Sequence, residues 1–321
     1  MRDVIQDIDQ WLGDEAPIAI ATVISTWGSA PRRVGAKLAM TSDGKMSGSV
    51  SGGCVEGAVF EAGVEVLVDR QSRLLHFGVA DETAWNVGLA CGGTIDVFVE
   101  PLDPVVYTFM HGLLEEDETF ATVTIINGPA DILGRKLVIQ RGGRIFGSID
   151  PALDGIIAAT ARTTLANDAS NRQTFNLPDL DYESFEAFIE IIQPAPTLII
   201  IGGVHIAIAL TAIAKNLGYR TIIIDPRRAF GSVDRFPDVD HLIQAWPEEA
   251  FQQIKLTPNT AIASLTHDPK IDDPALRVAL SNPAFYVGAL GSQKTHKNVE
   301  VAWQRTGSMQ TNSTEFMVLL A

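Results

Sequence analysis

The sequence predicts an α/β protein of two domains: an N-terminal α+β domain with an internal repeat, residues 1–193, and a C-terminal Rossmann-like parallel-sheet domain, residues 194–321. Three observations carry this. Residues 197–201, Thr-Leu-Ile-Ile-Ile, are a continuous apolar run entering a glycine loop, as a strand buried on both faces does. Segments starting at Ala19 and Phe120 share one order of glycines and hairpins. Between the domains, residues 181–196 (DYESFEAFIEIIQPAP) read as an amphipathic helix ending near Ile192, followed by a proline-bounded linker.

With 321 residues, 46% hydrophobic and 20% charged, the chain can bury two sizeable cores. Its net charge of −15 repels a polyphosphate backbone, and no basic patch offsets this, so nucleic acid and anionic membranes are excluded as partners. The only cysteines, Cys54 and Cys91, are too few for a disulfide framework or an all-cysteine zinc site, which points to a reducing compartment and assigns no metal site. Near the N-terminus Ile5, Ile8, Trp11 and Leu12 alternate with acids in the manner of a short amphipathic helix, not a signal peptide. No apolar run approaches the ~20 residues of a membrane span. The expected location is the cytoplasm.

Residues 16–25 read as a buried strand. Residues 37–41 and 45–50 flank Asp43-Gly44, a hairpin turn signal, and a helix follows from about Cys54 to Asp69. Residues 94–100 form a further strand, closed by Pro101 and Pro104. Aligning the two segments pairs Gly28 with Gly128, Gly35 with Gly134, Lys37 with Lys136, Leu38 with Leu137, Gly44 with Gly143 and Gly48 with Gly147. The repeat units then span about 16–100 and 117–165. The alternative is that hairpin chemistry alone recruits these glycines. The copies differ where the first has Ser51-Gly52-Gly53-Cys54-Val55-Glu56 and the second has Asp150-Pro151-Ala152-Leu153.

In the C-terminal domain the apolar run enters Gly202-Gly203-Val204-His205, and a helix carries the chain to Gly218. A second strand, 221–224, ends at Asp225, 23 residues after Gly202, near the interval at which an acid meets the ribose hydroxyls of a dinucleotide; Arg227 follows. Val204 takes the place of the second fingerprint glycine, which weakens the case for NAD(P) or another nucleotide. A strand over 261–265 leads into Thr266-His267-Asp268, and one over 285–287 leads into Gly288, Gly291, Ser292 and Lys294. Both clusters fall at the carboxyl edge of the sheet, where open α/β folds bind ligands. The plainer alternative is that they cap helices and loops.

The motifs GSAPRRVGAKLAM, GSVSGGCVEGAV, CGGTIDVFVEPL, the Gly202 loop, THDPKIDDPAL and YVGALGSQKTHK, in this order over about Ile18 to Lys297, resemble the XdhC/CoxI family of xanthine dehydrogenase accessory proteins. The resemblance implies a chaperone without turnover of its own. Such a protein binds molybdenum cofactor, protects it while a cysteine desulfurase supplies its sulfido ligand, and passes it to a xanthine dehydrogenase-type hydroxylase. A homodimer is compatible with this reading. Two departures stand out: Val204 replaces the family glycine, and TGSMQTNSTEFMVLLA replaces a segment like RIHGPIGL, as a shifted reading frame would produce. The second departure implies that the last strand and helix of the Rossmann domain are missing.

Molybdenum cofactor is a pterin bearing a phosphate and a dithiolene-held metal, so a carrier needs arginines or backbone donors for the phosphate and soft groups near the metal. Candidates are Arg32 and Arg33, the Ser51, Gly52 and Gly53 amides, Glu56 as acid or cap, and the Cys91-Gly92-Gly93 turn. Cys54, in a helix's first turn, gains from the dipole as a thiolate. Trp27 and Trp85 can stack on a pterin, although core filling is the default for tryptophan. His76 receives no ligand role, and no residue is assigned as catalytic. In the Rossmann domain the nucleotide candidates are Gly202, Gly203, His205, Asp225, Arg227, Thr266, His267, Asp268, Gly288, Gly291, Ser292 and Lys294. The rival reading is an NAD(P)-dependent oxidoreductase or nucleotide-processing enzyme acting through His267, Asp268 and Lys294. The Val204 interruption and the lack of a proton donor with a surrounding substrate domain stand against it.

Overall fold

The computed structural model describes residues 1–53, 55–78, 93–177 and 184–291, and the backbone of the strand Glu315–Leu320. The chain divides into two compact units, Met1–Gln193 and Pro194–Ala321.

In the first unit, α1 (Arg2–Gly13) buries Val4, Ile8 and Trp11, which share one helical face. The first repeat follows as β1 (Ile18–Trp27), β2 (Lys37–Thr41), β3 (Met46–Gly48), α2 (Glu56–Asp69), β4 (Arg73–Phe77) and β5 (Thr94–Pro101). These strands form an antiparallel sheet of order β3-β2-β1-β5-β4. Next, α3 (Pro104–Glu115) starts where the Asp103 carboxylate accepts from the Val105 and Val106 amides and proline takes the first helical position. The second repeat is β6 (Phe120–Asn127), β7 (Lys136–Gln140), β8 (Ile145–Gly147), α4 (Asp154–Ala166), β9 (Asn171–Asn176) and β10 (Ser184–Ile192), in the order β8-β7-β6-β10-β9. The two orders are the same, element for element.

Two sequence expectations change here. The second repeat reaches Ile192, because β9 and β10 are the counterparts of β4 and β5. The segment expected to be a helix ending near Ile192 is therefore β10. Its apolar residues 185, 188, 189 and 192 have helical spacing, but they are shared between two faces of a strand. Phe185, Ala187 and Ile189 join the core beneath α4, whereas Phe188 and Ile192 join clusters on the opposite face.

Each sheet lays one face on its own helix: Ala21, Val23, Leu38 and Met40 pack with Val59 and Val66 of α2, and Val123, Leu137 and Ile139 pack with Ile157 and Ala161 of α4. The two copies meet through other residues. Ile24 and Phe98 of the first form one buried cluster with Ile126 and Phe188 of the second, each pair coming from matching strands. Around it the copies exchange ion pairs. Lys37 Nζ donates to Glu190 Oε2 at 2.8 Å, and its counterpart Lys136 donates to Glu100 Oε1 at 2.7 Å. Each lysine also donates to a threonine on the adjacent strand, Thr22 at 3.2 Å and Thr124 at 2.6 Å. Arg172 of β9 adds a further link, bonding Asp96 of β5 at 3.0 Å and Glu186 of β10 at 2.5 Å. Asp96 in turn holds His76 Nδ1.

The second unit is a fully parallel sheet of β11 (Thr197–Ile201), β12 (Arg220–Ile224), β13 (His241–Ile243), β14 (Thr260–Ser264), β15 (Tyr286–Gly291) and β16 (Glu315–Leu320), with α5 (His205–Asn216), α6 (Pro247–Ala250) and α7 (Pro269–Leu280) in its connections. Its order, β13-β12-β11-β14-β15-β16, is that of the Rossmann fold. The last strand, expected to be missing, is formed by Glu315–Leu320 in register with β15. Gly288, expected in a loop after its strand, lies within β15, and Gly291 is its last residue. Among the described residues no helix is long and apolar enough to cross a membrane.

Removing one partner of a buried ion pair leaves an uncompensated charge, so Lys37→Met should destabilise the protein by about 3–5 kcal/mol, and Lys136→Met should do the same. The double variant Lys37→Met/Glu190→Leu should recover most of that loss. Urea unfolding of the three variants checks this, and a Lys37→Met protein as stable as wild type would show that the exchanged pairs do not hold the copies together.

Candidate functional site

Strand register brings the sequence-predicted residues of the first repeat to one end of its sheet. Trp27 at the end of β1 pairs with Thr94 at the start of β5, and Leu38 near the start of β2 pairs with Gly48 at the end of β3. The connections beginning at Gly28 and at Ser49 and the entry to β5 at Gly93 therefore lie at the same end of the sheet. The first of them closes back onto β1: Gly35 N donates to the Val23 carbonyl and Val23 N to that of Ala36. A Cβ on Gly93 would lie 2.7 Å from the Trp27 carbonyl oxygen and 2.9 Å from that of Ser29, so only glycine fits under this loop. A Cβ on Gly52 would lie 3.9 Å from Pro31, which sets the glycine connection beside the arginine loop. Arg32 pairs with Asp3 of α1 at 3.0 Å. The Arg33 side chain is exposed, and no hydrogen bond or ion pair joins its guanidinium to another described residue, while its carbonyl accepts from Ala36 N at 3.0 Å. Cys54, Cys91 and Gly92 lie outside the described residues, as does Trp85.

The Ser51, Gly52 and Gly53 amides, expected to cradle a phosphate, are already engaged. All three donate to the Glu56 carboxylate at 2.8 Å, Ser49 Oγ joins them at 2.7 Å, and Ser51 Oγ completes the set. Glu56 is thus an internal anion filling its own nest of amides. Burial alone would raise its pKa, but the hydrogen bonds from Ser51 and Ser49 and from the Ser51 and Gly52 amides outweigh that and hold it far below the usual carboxylate range. The second repeat has the same latch: Asp154 accepts from Ser148 Oγ at 2.6 Å, Ile149 N at 2.9 Å and Asp150 N at 3.1 Å. A device present in both copies belongs to the fold. Glu56 and the three amides, expected as cofactor contacts, bond to one another here and form a loop latch. The latch was legible in the sequence as an acid in the first turn of each helix, a capping signal.

The remaining differences are informative because the second copy is an internal control. Where the first has Trp27, 71% exposed, the second has Asn127, whose Nδ2 donates to Glu186 at 3.3 Å. Where the first has exposed Arg33, the second has fully buried Ile132. Gly52 and Gly53, with φ of 86° and 121°, stand where the second copy has Pro151 and Ala152. One sheet end is closed with apolar and paired groups, while the other presents an indole, a guanidinium and two glycines.

The Rossmann unit places Gly202 and Thr266 side by side at the carboxyl edge, where a Cβ on Gly202 would strike the threonine methyl. Its dinucleotide features are nevertheless consumed internally. Gly203 N donates to Asp225 Oδ2 at 2.8 Å, and the same carboxylate accepts from Arg227 N, Nε and a terminal guanidinium nitrogen at 2.8–2.9 Å. Asp225 is fully buried. The space above Gly203 holds the Phe230 backbone, and Arg235 donates to the Gly203 carbonyl at 3.0 Å. Asp225, expected at the ribose hydroxyls, and Arg227, a nucleotide candidate, here hold the glycine loop. Thr266 bonds Asp272 at 2.7 Å and Asp268 caps α7 by accepting from Lys270 N at 3.0 Å, the plainer of their two readings. His267 is exposed with φ of 60°, and His205 is exposed at the start of α5. Ser292 and Lys294 lie outside the described residues.

The two units define a protein in which a duplicated α+β domain precedes a Rossmann domain. Residues 11–78 match the XdhC and CoxI family and residues 198–317 match the XdhC Rossmann domain. The chain belongs to the XdhC and CoxI family. It is 28% identical to a probable xanthine dehydrogenase subunit of Bacillus subtilis (strain 168), over 91% of this chain and 84% of that one. It is 26% identical to the molybdenum cofactor insertion chaperone PaoD of Escherichia coli (strain K12), over 91% and 74% of the respective chains. A crystal structure of a xanthine dehydrogenase from Bacillus halodurans shares the fold, with a TM-score of 0.75 at 22% identity over 98% of this chain and 87% of that one.

Two outcomes are expected of these sites. Because the folded pKa of Glu56 lies below its unfolded value of about 4.3, the stability it contributes is complete above that pH and is lost as pH falls toward the folded value. Glu56→Gln should therefore lower the melting temperature by several degrees at pH 7, and the gap to wild type should narrow below about pH 4. A gap independent of pH would contradict the latch. Calorimetry should also detect no binding of NAD+ or NADP+ at millimolar concentration, since the Gly203 amide and the Asp225 carboxylate are engaged; micromolar binding would require the 226–236 segment to open.

Proposed function

We propose that the protein is a cytoplasmic accessory factor that holds molybdenum cofactor at the loop end of its first repeat, while a cysteine desulfurase sulfurates it, and supports its insertion into a xanthine dehydrogenase-type hydroxylase. One observation carries this reading. The two copies have the same sheet order and the same latch, but only the first displays an exposed tryptophan, an exposed arginine whose side chain has no partner among the described residues, and a glycine pair. Membership of the family and the name of the Escherichia coli relative supply the cargo.

The cargo's phosphate suits Arg33, whose guanidinium offers a planar fork of donors and is tied to no carboxylate among the described residues. Arg32 stands next to it, tied to Asp3 by a partly exposed pair that is cheaply exchanged for a phosphate. The metal side of the cargo calls for soft ligands, and Cys54 directly follows the Gly52-Gly53 pair, with Cys91 two residues before Gly93. The glycines keep side chains away from an approaching ligand, and their amides stay with Glu56.

Arg33→Ala should weaken cofactor retention about 10- to 100-fold, the worth of one charge-assisted hydrogen bond. Cys54→Ser should fold normally and lose retention as well. Asn127→Ala, at the matching position of the second copy, should retain cofactor like wild type. Molybdenum and pterin content of the purified proteins after loading is the measurement, and undiminished retention by both Arg33→Ala and Cys54→Ser would sink the assignment to this sheet end.

A further inference from the structure

We propose that Trp27 is the stacking platform of the first-repeat site, so that the site selects a planar heteroaromatic ring carrying an anion; this rests on the cofactor-handling reading above. Tryptophan carries the largest apolar side chain and is highly buried on average, yet 71% of Trp27 faces solvent. The exposure does not come from a loose backbone. The main chain of Trp27 is fixed by its register with Thr94 of β5 and by the close approach of the preceding residue, Gly93, to its carbonyl. A ring held on a rigid strand end but packed against little is pre-organised for an external face, which reduces the ordering cost of binding.

The chemistry around the ring specifies that face. Arg33 lies six residues further along the same connection, exposed and with no side-chain partner among the described residues, and Pro31 between them abuts the Gly52 connection. An electron-rich indole next to a guanidinium suits a ligand with a flat, electron-poor ring and a negative group, as in a pterin phosphate. The second repeat again serves as the control. There the matching Asn127 is tied to Glu186 and the matching Ile132 is buried, so neither half of the pair is offered. The apolar side chain of a partner protein is the competing occupant of an exposed indole, but it gives no reason for the exposed arginine on the same loop.

The test uses the full chain with two probes, an oxidised pterin monophosphate and inorganic phosphate, followed by calorimetry and intrinsic fluorescence. Wild type should bind the pterin phosphate with quenching of tryptophan emission. Trp27→Ala should bind it about tenfold more weakly, the usual loss for one base–aromatic stack. It should compete for inorganic phosphate as wild type does, with an unchanged melting temperature. Trp27→Phe should keep most of the affinity while losing the quenching, because a ring remains but the reporter is gone. Arg33→Ala should weaken both probes. Unchanged pterin affinity in Trp27→Ala, with Arg33→Ala still impaired, overturns the stacking role and leaves the cofactor reading standing. Unchanged pterin affinity with lost binding to the hydroxylase assigns Trp27 to protein docking and equally overturns it. A wild type that retains neither pterin phosphate nor molybdenum cofactor removes both.

Discussion

The reciprocal pairing of Lys37 with Glu190 and Lys136 with Glu100 is the constraint on which the rest of the first unit depends. Each sheet buries one face on its own helix, which leaves the other face with a polar strip of lysine, glutamate and threonine that is too costly to bury alone. Neither copy carries the complement to its own lysine; each finds it on the other. Once the sheets are joined this way, their free ends are fixed in orientation, and one end can diverge without loosening the core. The separation of duties between the copies follows from that. The second repeat closes its loop end with Ile132 and the Asn127–Glu186 bond, whereas the first leaves Trp27 and Arg33 outside.

Much of this was legible in the sequence, and the failures have physical reasons. The glycine order revealed the repeat because turns with positive φ impose the same residue on both copies, as at Gly44 and Gly143. The extent of the second copy was missed because β10 is buried on both faces, so its apolar residues lost the alternation that marks a strand and fell into helical spacing. The short strands β4 and β13 were missed for the opposite reason: their residues are half-exposed and carry little periodicity. Asp225 was found at its expected interval after Gly202, but its partner was not, since a local Arg227 two residues on satisfies the same acid without changing the pattern. For Trp27 the residue type left stacking on a ligand and core filling both open, and only its exposure in the fold separates them.

Two of the protein's glycine turns are anion nests in form, and in both the anion is supplied from within. Glu56 fills the turn at Gly52-Gly53, and Asp225 fills the one at Gly203. A glycine-rich strand-to-helix turn is therefore not sufficient grounds for a bound phosphate, because a carboxylate a few residues away, or at the end of the next strand, meets the same geometric demand. This also accounts for Val204. With the Gly203 amide turned to Asp225 and the Phe230 backbone above it, no pyrophosphate has to approach, and a side chain at the following position meets no penalty.

Glu56 has one more consequence, for the release of cargo. In many anion sites the loop takes its shape only when the ligand arrives, so departure of the ligand must be coupled to loss of loop order. Here the loop is closed on five donors from its own neighbourhood whether or not anything is bound beside it. For a transfer protein of the kind proposed, a loop that takes its shape from its own side chains needs no refolding step when a ligand binds beside it or leaves.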